Sequence, residues 1–327
     1  MERVLVIGVG QIGSELGPAL VARGDDVLLA DYRPPEETAG WEYLRAHLGE
    51  DEVRRRWRLI DVMDVRALVG LLDEARPDVT YHMAALLSAR GERDPDLCWR
   101  MNVDSTRTVL STLSRRGDGA RLIVPSSIAA FGPLPGVSEP PSVTPDVYPM
   151  LPTSMYGITK VVGELLGSYA AARQGVDFRG LRFPGLLNTT PPGGGSSDFA
   201  NLMYFAAAEG RRDVEVFCRA DTTIPFMYMP DAVRSLIELS DAPAARLTRR
   251  TYNVAAMSPS AGDIADALRR RVGAFDVRYV PDFRQAILDS WPRALDDAPA
   301  RADWGWAPRW DLDAMTDDLL GQLGWAG

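Results

Sequence analysis

The chain has 327 residues, 46% of them hydrophobic and 25% charged, a composition typical of a folded protein with a substantial apolar core. Its 45 acidic and 36 basic side chains give a net charge of −9 without an extended basic stripe, which argues against nucleic acid as a partner. Two cysteines, no cationic leader and no apolar run of about 18 residues are what we expect of a cytoplasmic protein without a signal peptide or a membrane span.

Short apolar runs alternate with segments of helical periodicity along the first half of the chain. In chain order, the predicted elements are a strand at 4–7, a helix at 12–23, strands at 27–30 and 59–60, a helix at 64–75, a strand at 79–83, a helix at 96–116, a strand at 122–124, a helix at 155–173 and a strand at 178–182. Strands and helices that alternate in this way predict an α/β fold, a doubly wound parallel sheet covered on both faces.

The second half of the chain has a looser pattern. After about residue 184 it contains segments rich in proline and glycine, and then helices predicted near 198–209, 230–240 and 260–272. We therefore predict a first domain at 1–183, completed by segments near 214–256, and a smaller C-terminal lid formed mainly by 184–327.

The first predicted strand runs directly into the glycine pattern GVGQIG at 8–13, and a helix follows. In a Rossmann-type domain the first glycine permits a tight turn, the second lets a pyrophosphate approach the backbone, and the third lets helix and strand pack closely. Asp31 ends the next strand, 18 residues after Gly13, where a carboxylate accepts hydrogen bonds from the adenosine ribose. The pattern predicts that the first domain binds NAD, although Arg33 is the kind of neighbour that accommodates the 2′-phosphate of NADP.

Lys160 is the only lysine among the 36 basic side chains, and it follows Tyr156 by four residues. On a helix both side chains lie on one face, where an ammonium stabilises a phenolate and lowers the tyrosine pKa from its usual value of about 10. Tyr156 then becomes a base for a hydroxyl proton, and the compact ammonium also hydrogen-bonds the nicotinamide ribose better than a planar guanidinium would. Upstream, Ser126 and Ser127 end a buried strand, and Ser127 is a candidate for orienting a substrate oxygen. A solvent-facing lysine and a turn serine are the alternative interpretation.

These three features, in this order and spacing, resemble the extended short-chain dehydrogenase/reductase family, and within it the L-threonine 3-dehydrogenases. The segments that carry the closer resemblance span nearly the whole chain: VPSSIAAFGP at 124–133, MYGITK at 155–160, LRFPGLL at 181–187, PGGGSSDFA at 192–200, MYMPDA at 227–232, TYNVAAMS at 251–258, DSWP at 289–292 and ADWGW at 302–306. The resemblance implies that Tyr156 is the general base, that Lys160 is its electrostatic partner and a ribose ligand, and that Ser127 orients the substrate hydroxyl.

The glycine motif and the resemblance together predict two groups of site residues and no metal site. The expected NAD ligands are Gly8, Gly10, Gln11, Ile12, Gly13, Asp31, Arg33, Asp61, Val62, Met83, Ala84, Ala85, Asn102, Tyr156, Lys160 and Pro184. The expected substrate contacts are Ser88, Arg90, Ser127, Tyr156, Ser196, Ser197 and Trp291. For each loop serine a capping role is the alternative, and for Trp291 the alternative is core packing.

Four departures from the family pattern stand out. Ile7 occupies the first position of the usual three-glycine loop, and Arg90 stands where threonine is usual. Ser196 and Ser197 replace a threonine pair, and the arginine that commonly precedes the catalytic tyrosine is absent. The last three lie close to the expected pocket, so they bear on the identity of the substrate more than on the reaction.

The reaction implied is NAD-dependent oxidation of the 3-hydroxyl of L-threonine, or of a related β-hydroxy-α-amino acid, to the 3-oxo acid. Tyr156 removes the hydroxyl proton while hydride passes to the nicotinamide and Ser127 holds the oxygen. An NAD-dependent nucleotide-sugar epimerase or dehydratase is one alternative, and a non-catalytic NAD-binding protein is another. The compact segments 192–200 and 289–292 argue against the first, and the retained Tyr156 and Lys160 argue against the second. We also expect a homodimer, with the helices at 96–116 and 155–173 paired across a two-fold axis.

Overall fold

A computed structural model describes residues 1–137 and 141–325. The strands within this part of the chain are β1 (Arg3–Ile7), β2 (Asp26–Asp31), β3 (Trp57–Leu59), β4 (Val79–His82), β5 (Arg121–Ser127), β6 (Asp177–Phe183), β7 (Gly185–Leu187), β8 (Asp213–Val216), β9 (Phe226–Tyr228), β10 (Thr251–Asn253) and β11 (Asp276–Tyr279). Seven of them form one sheet in the order β10-β6-β5-β4-β1-β2-β3, and every pairing in it is parallel. The strand order reverses between β1 and β4, as in a doubly wound domain, so the predicted fold class is confirmed.

The α-helices of the described residues are α1 (Gln11–Ala22), α2 (Trp41–Leu48), α3 (Glu50–Arg56), α4 (Val65–Ala75), α5 (Ser88–Arg93), α6 (Pro95–Trp99), α7 (Ser105–Arg116), α8 (Met155–Arg173), α9 (Phe199–Ala208), α10 (Met229–Asp241), α11 (Ala261–Val272), α12 (Phe283–Asp289), α13 (Ala298–Trp304) and α14 (Leu312–Gln322). A single π-type turn at Arg100–Asp104 joins α6 to α7. The helix predicted at 96–116 is therefore one continuous segment with a locally widened turn, a feature found often at functional sites.

Strand β1 explains why apolar residues run through the sheet without alternating with polar ones. Successive side chains of a strand point to opposite faces. Val4 and Val6 pack in the apolar cluster that contains residues of α1 and α10, whereas Leu5 and Ile7 pack in the cluster that contains residues of α4 and α7. Both faces are therefore buried, and the carboxyl ends of the strands are the part of the sheet left for a ligand.

The C-terminal part of the chain has a core of its own, formed by residues of α9, α11 and α14 together with two small parallel sheets, β11-β8 and β7-β9. Strand β10 lies late in the sequence but pairs with β6 at the edge of the large sheet. The division into a binding domain and a lid stays a prediction, and the last two residues of the predicted lid lie outside the described residues. Among the helices described, none combines the length and the apolar character that crossing a membrane requires.

Candidate active site

The loop between β1 and α1 has the geometry of a phosphate cradle. Gly8 has a φ of +91°, and a Cβ there would lie 2.4 Å from the backbone nitrogen of Ala84; a Cβ on Gly13 would lie 2.2 Å from the carbonyl oxygen of Gly8. At Gly10, by contrast, a Cβ would meet no atom within 4 Å, so the backbone there is open to an incoming group. Gly10 also begins α1 without a side-chain cap, which leaves the first N–H groups of the helix available to an anion.

A cavity of about 140 Å³ adjoins this loop at the ends of β1, β2 and β4. The predicted NAD ligands that line it are Gly8, Gly10, Asp31, Arg33, Asp61, Val62, Met83, Ala84 and Ala85. Together the two features fit a dinucleotide. The cavity is suited to a nucleoside, and the glycine loop is suited to a pyrophosphate.

Asp31 is held rigidly at the edge of this cavity. Its Oδ2 accepts a hydrogen bond of 2.8 Å from the backbone N–H of Val9, and its Oδ1 accepts one of 3.1 Å from the N–H of Arg33. The guanidinium of Arg33 lies over the ring of Tyr32, 4.8 Å from its centroid. The carboxylate therefore has a fixed orientation at the edge of the cavity, while the guanidinium of Arg33 is stacked on its neighbour.

A second cavity, of about 120 Å³, lies at the carboxyl ends of β5 and β6. Its wall brings together predicted residues from separate segments of the chain: Gln11, Ile12, Ser88, Ser127, Tyr156, Pro184, Ser196, Ser197 and Trp291. Gln11 also donates from Nε2 to the carbonyl oxygen of Pro191 at 3.1 Å, which joins the glycine loop to the loop before α9.

Tyr156 lies in the first turn of α8, which begins where the hydroxyl of Ser154 accepts a hydrogen bond of 3.1 Å from the N–H of Gly157. The side chain of Ser127, at the end of β5, lies near enough to the phenol of Tyr156 to lower its pKa. One turn further along α8, the Nζ of Lys160 lies 5.2 Å from the centroid of the Tyr156 ring. The structure thus brings the three predicted catalytic side chains together.

The pKa shifts in this site follow from burial. Burial raises the pKa of Tyr156 to about 12, and the side chain of Ser127 offsets only part of that effect. Burial also lowers the pKa of Lys160 to about 8, against the opposing influence of Cys98 and Glu164. The direction for tyrosine is opposite to the lowering predicted from the sequence, because loss of hydration outweighs the neighbouring ammonium, whose Nζ donates to the carbonyl oxygen of Pro125.

A buried ion pair beneath Lys160 was missed by sequence reasoning. Glu164 accepts hydrogen bonds from Nε and Nη2 of Arg182, at 2.9 and 2.7 Å, and another from the hydroxyl of Ser126. Arg182 also donates from Nη1 to the carbonyl oxygen of Asp146 at 2.8 Å. The available signal was the spacing of Tyr156, Lys160 and Glu164, which places all three on one face of α8.

The opposite wall of the second cavity is the loop before α9. The N–H of Ser196 donates to the hydroxyl oxygen of Ser88 at 3.0 Å, and the two hydroxyls also lie 3.0 Å apart. Asp198, a cavity residue that sequence reasoning missed, accepts bonds of 2.8 Å from the N–H groups of both Gly194 and Gly195, and burial raises its pKa. Its signal was its position directly after the serine pair.

The model of the NAD dependent epimerase/dehydratase family matches residues 4–255 of this chain. The chain belongs to that family. An uncharacterised epimerase/dehydratase of Staphylococcus saprophyticus is 38% identical over 327 residues, which cover 98% of this chain and 96% of that protein. The mitochondrial L-threonine 3-dehydrogenase of Bos taurus is 37% identical over 324 residues, which cover 98% of this chain and 82% of that protein.

Among solved structures, the holo form of a GalE-like L-threonine dehydrogenase from Cupriavidus necator matches with a TM-score of 0.88 and 39% identity, covering 98% of this chain and 99% of that one. These matches confirm the resemblance to the extended short-chain dehydrogenases. They place this chain close to the L-threonine 3-dehydrogenases within the epimerase/dehydratase family.

Four residues predicted for the site of this family member lie outside the linings of its two main cavities: Gly13, Arg90, Asn102 and Lys160. Arg90 is exposed, and its Cγ lies 3.5 Å from where a Cβ on Gly194 would be, so its stem packs on the outer side of the loop before α9. Asn102 is buried; its Oδ1 accepts from the N–H of Leu86 at 2.8 Å, and its Nδ2 donates to the hydroxyl of Thr159 at 3.0 Å. Asn102 therefore ties α8 to the loop after β4 rather than facing the NAD cavity.

Proposed function

We propose that this chain is an NAD-dependent dehydrogenase that oxidises the 3-hydroxyl of L-threonine or of a closely related β-hydroxy-α-amino acid. The observation that carries the proposal is the second cavity, whose lining brings Tyr156 and Ser127 together with Ser196 and Trp291. Its volume of about 120 Å³ is well below the roughly 300–1,000 Å³ of sites for drug-sized ligands. A small substrate follows from that size.

Each group has a separate role in the proposed reaction. NAD, when bound to the glycine loop and Asp31, supplies the hydride acceptor. Ser127 holds the substrate oxygen by a hydrogen bond, and Tyr156 accepts the hydroxyl proton. Because burial holds the pKa of Tyr156 near 12, proton removal needs the two groups that favour the phenolate, the hydroxyl of Ser127 and the ammonium of Lys160.

The remaining wall supplies complementary groups for a zwitterion. The hydroxyls of Ser88, Ser196 and Ser197 are donors suited to a carboxylate, and the carboxylate of Asp198 is suited to an ammonium. Trp291, 5% exposed, supplies an apolar surface for a methyl group. This set of side chains supports an amino acid as the substrate.

A nucleotide-sugar epimerase or dehydratase is the second candidate, favoured by the family itself and by the name of the staphylococcal relative. Such enzymes need the same tyrosine and lysine, but also room for a nucleoside diphosphate beside the NAD. The side chains around Tyr156 in the second cavity, which include serine hydroxyls, Asp198 and Trp291, suit a small zwitterion better than a nucleoside diphosphate.

The deciding experiment is NADH formation at 340 nm with a panel of β-hydroxy amino acids, alongside turnover assays with UDP- and GDP-sugars. We expect activity with L-threonine or a close analogue and none with the sugars. Tyr156→Phe is expected to lose nearly all activity while still binding NAD by calorimetry. Turnover of a nucleotide sugar without oxidation of any amino acid would assign the second candidate function instead.

We further propose that a second copy of the chain packs on α8. Its exposed face carries Ile158, Leu165 and Tyr169, which are 40%, 59% and 59% exposed. Their spacing of seven and four residues places them along one stripe of the helix. A contiguous apolar stripe on a long surface helix is the kind of surface that a two-fold interface buries.

A further inference from the structure

A third cavity, of about 20 Å³, is smaller than the other two and lies among α8, the π-type turn and the ends of β4 and β5. Its wall includes His82, Asn102, Thr106, Lys160 and Glu164. About 10–15 Å³ is enough for one water molecule, provided that polar partners are present. The cavity therefore has room for a single water beside the ammonium of Lys160.

His82, the last residue of β4, is 2% exposed, and its hydrogen bonds define its tautomer. Its Nε2 lies 2.8 Å from the hydroxyl oxygen of Ser105, and that hydroxyl donates to the carbonyl oxygen of Met101. A hydroxyl has only one proton to donate, so Nε2 must carry the proton of the His82–Ser105 bond. Nδ1 is then a bare acceptor.

That acceptor has no partner among the protein atoms of the described residues, although it is fully buried. Burial first, and then the charge of Lys160, lower the pKa of His82 to about 4, which keeps the ring neutral. The other titratable groups around Lys160 are Tyr156, Cys98 and Glu164. A buried acceptor without a donor is costly, and a donor in the cavity removes that cost.

Lys160 has donors to spare on the same wall. An ammonium carries three protons, and one of them is given to the carbonyl oxygen of Pro125 at 2.8 Å. Thr106, whose hydroxyl donates to the carbonyl oxygen of Asn102 at 2.7 Å, offers the cavity a second acceptor. The wall thus presents one donor and two acceptors, the complement of one water.

We propose that this cavity is a built water site, in which one water accepts a hydrogen bond from Lys160 and donates one to Nδ1 of His82. His82 is thereby a positioning residue for Lys160. Two protons of the ammonium are held on fixed acceptors and the third is left for the cofactor ribose, while the positive charge stabilises the phenolate of Tyr156 through space. The water site stands on the geometry alone, and only its effect on turnover rests on the proposed function.

The tautomer is tested without any activity measurement, because the chain has only two histidines and His47 is exposed. In protein labelled with ¹⁵N-histidine, and assigned with His47→Gln, we expect His82 to be protonated on Nε2 and bare on Nδ1 at neutral pH. Lys160→Met is expected to shift the Nδ1 resonance and to leave the tautomer unchanged. A protonated Nδ1, or a resonance indifferent to Lys160→Met, would overturn the water site.

A crystal structure of the protein supplies the direct observation. We expect an electron-density peak within hydrogen-bond distance of both Nζ of Lys160 and Nδ1 of His82. No such peak, at a resolution where other buried waters are visible, would overturn the proposal.

The positioning role is tested with a matched pair. In His82→Asn the Oδ1 takes the place of Nδ1, whereas His82→Gln reaches toward Ser105 and leaves no acceptor in the cavity. We expect kcat of the Asn variant to stay within about threefold of wild type, and that of the Gln variant to fall about 10- to 100-fold. The acid limb of the Gln variant's pH profile should also move upward, since the phenolate is less supported. Equal kcat values and equal profiles for the two variants would overturn the positioning role, and the tautomer experiment stands whichever substrate the enzyme uses.

Discussion

Lys160 donates from Nζ to the main-chain carbonyl oxygen of Pro125 at 2.8 Å. Pro125 lies in β5, two residues before Ser127, so this bond ties the helix that carries Tyr156 to the strand that carries Ser127. An ammonium is compact enough to make this bond and still face Tyr156 and a ribose. A guanidinium is planar and spreads its nitrogens over a wider group, so it fills the same space differently.

Lys160→Arg is therefore expected to lose about 2–4 kcal/mol of transition-state stabilisation, which corresponds to roughly 30- to 1000-fold in kcat/KM. The pH at which activity rises should move upward, and NAD affinity should fall. Arg173→Lys, an exposed exchange at the end of the same helix, is the control and should leave turnover unchanged. Wild-type turnover with an unshifted profile in Lys160→Arg would make the single lysine an accident of composition.

The lowered pKa of the buried Lys160 should also make the free energy of unfolding depend on pH. Its pKa is lowered from 10.5 to about 8, so between these values the folded protein binds fewer protons than the unfolded chain. Stability from this group is therefore gained as pH rises through that window. Relative to Lys160→Met, the wild-type free energy of unfolding should rise by on the order of 3 kcal/mol across it. Parallel pH curves from denaturant unfolding of the two proteins would mean that Lys160 titrates normally.

Asp31→Ala should shift cofactor preference toward NADP. The N–H groups of Val9 and Arg33 fix the carboxylate at the edge of the first cavity, where it would accept hydrogen bonds from a ribose and repel a 2′-phosphate. The ratio of kcat/KM for NAD to that for NADP is the measurement, with circular dichroism to check that the loop change leaves the fold intact. A wild-type enzyme that already prefers NADP would contradict the assignment.

Arg90→Thr tests whether Arg90, which departs from the family pattern, contributes to substrate specificity. The sequence placed Arg90 in the pocket, where it would favour an acidic or larger β-hydroxy amino acid. Because its side chain packs outside the loop at Gly194, we expect the kcat/KM ratio of L-threonine to L-threo-β-hydroxyaspartate to change less than about threefold. A larger shift toward L-threonine would mean that the guanidinium reaches the bound substrate.

Charges on the apolar stripe of α8 should disrupt the proposed dimer. The double variant Leu165→Glu and Tyr169→Glu is expected to sediment as a monomer, while the wild type sediments at twice that mass. Val147→Glu is the control, since Val147 is 82% exposed and lies outside α8. A monomeric wild type would contradict the prediction.

Local patterns were sufficient for much of the fold. The helix predicted at 155–173 has those bounds in the structure, and every other predicted helix ends within one residue of its observed limits. The reason is that a helix buries side chains with a period of 3.6 residues, and this period is visible within a short stretch of sequence. The glycine loop was predictable for the same reason, because its turn depends on the positive φ of Gly8 itself.

Short or exposed elements were not predicted. Helices α2 and α3 each bury a single residue, Leu44 and Val53, so they carry too few apolar positions to show a period. Strands β7 and β9 have three residues each and exist because they pair with one another across the chain. Pairing of distant segments is invisible to a local pattern.

The chemistry of the site was likewise predictable from the sequence only in part. Residue types and spacing singled out Tyr156, Lys160 and Ser127, but the direction of the tyrosine pKa followed from burial. The tautomer of His82 likewise required Ser105 and Met101, which come from a different segment. Sequence records which groups are available at fixed local spacing. Desolvation and hydrogen-bond partners depend on which distant segments close around each group, and only the folded chain decides that.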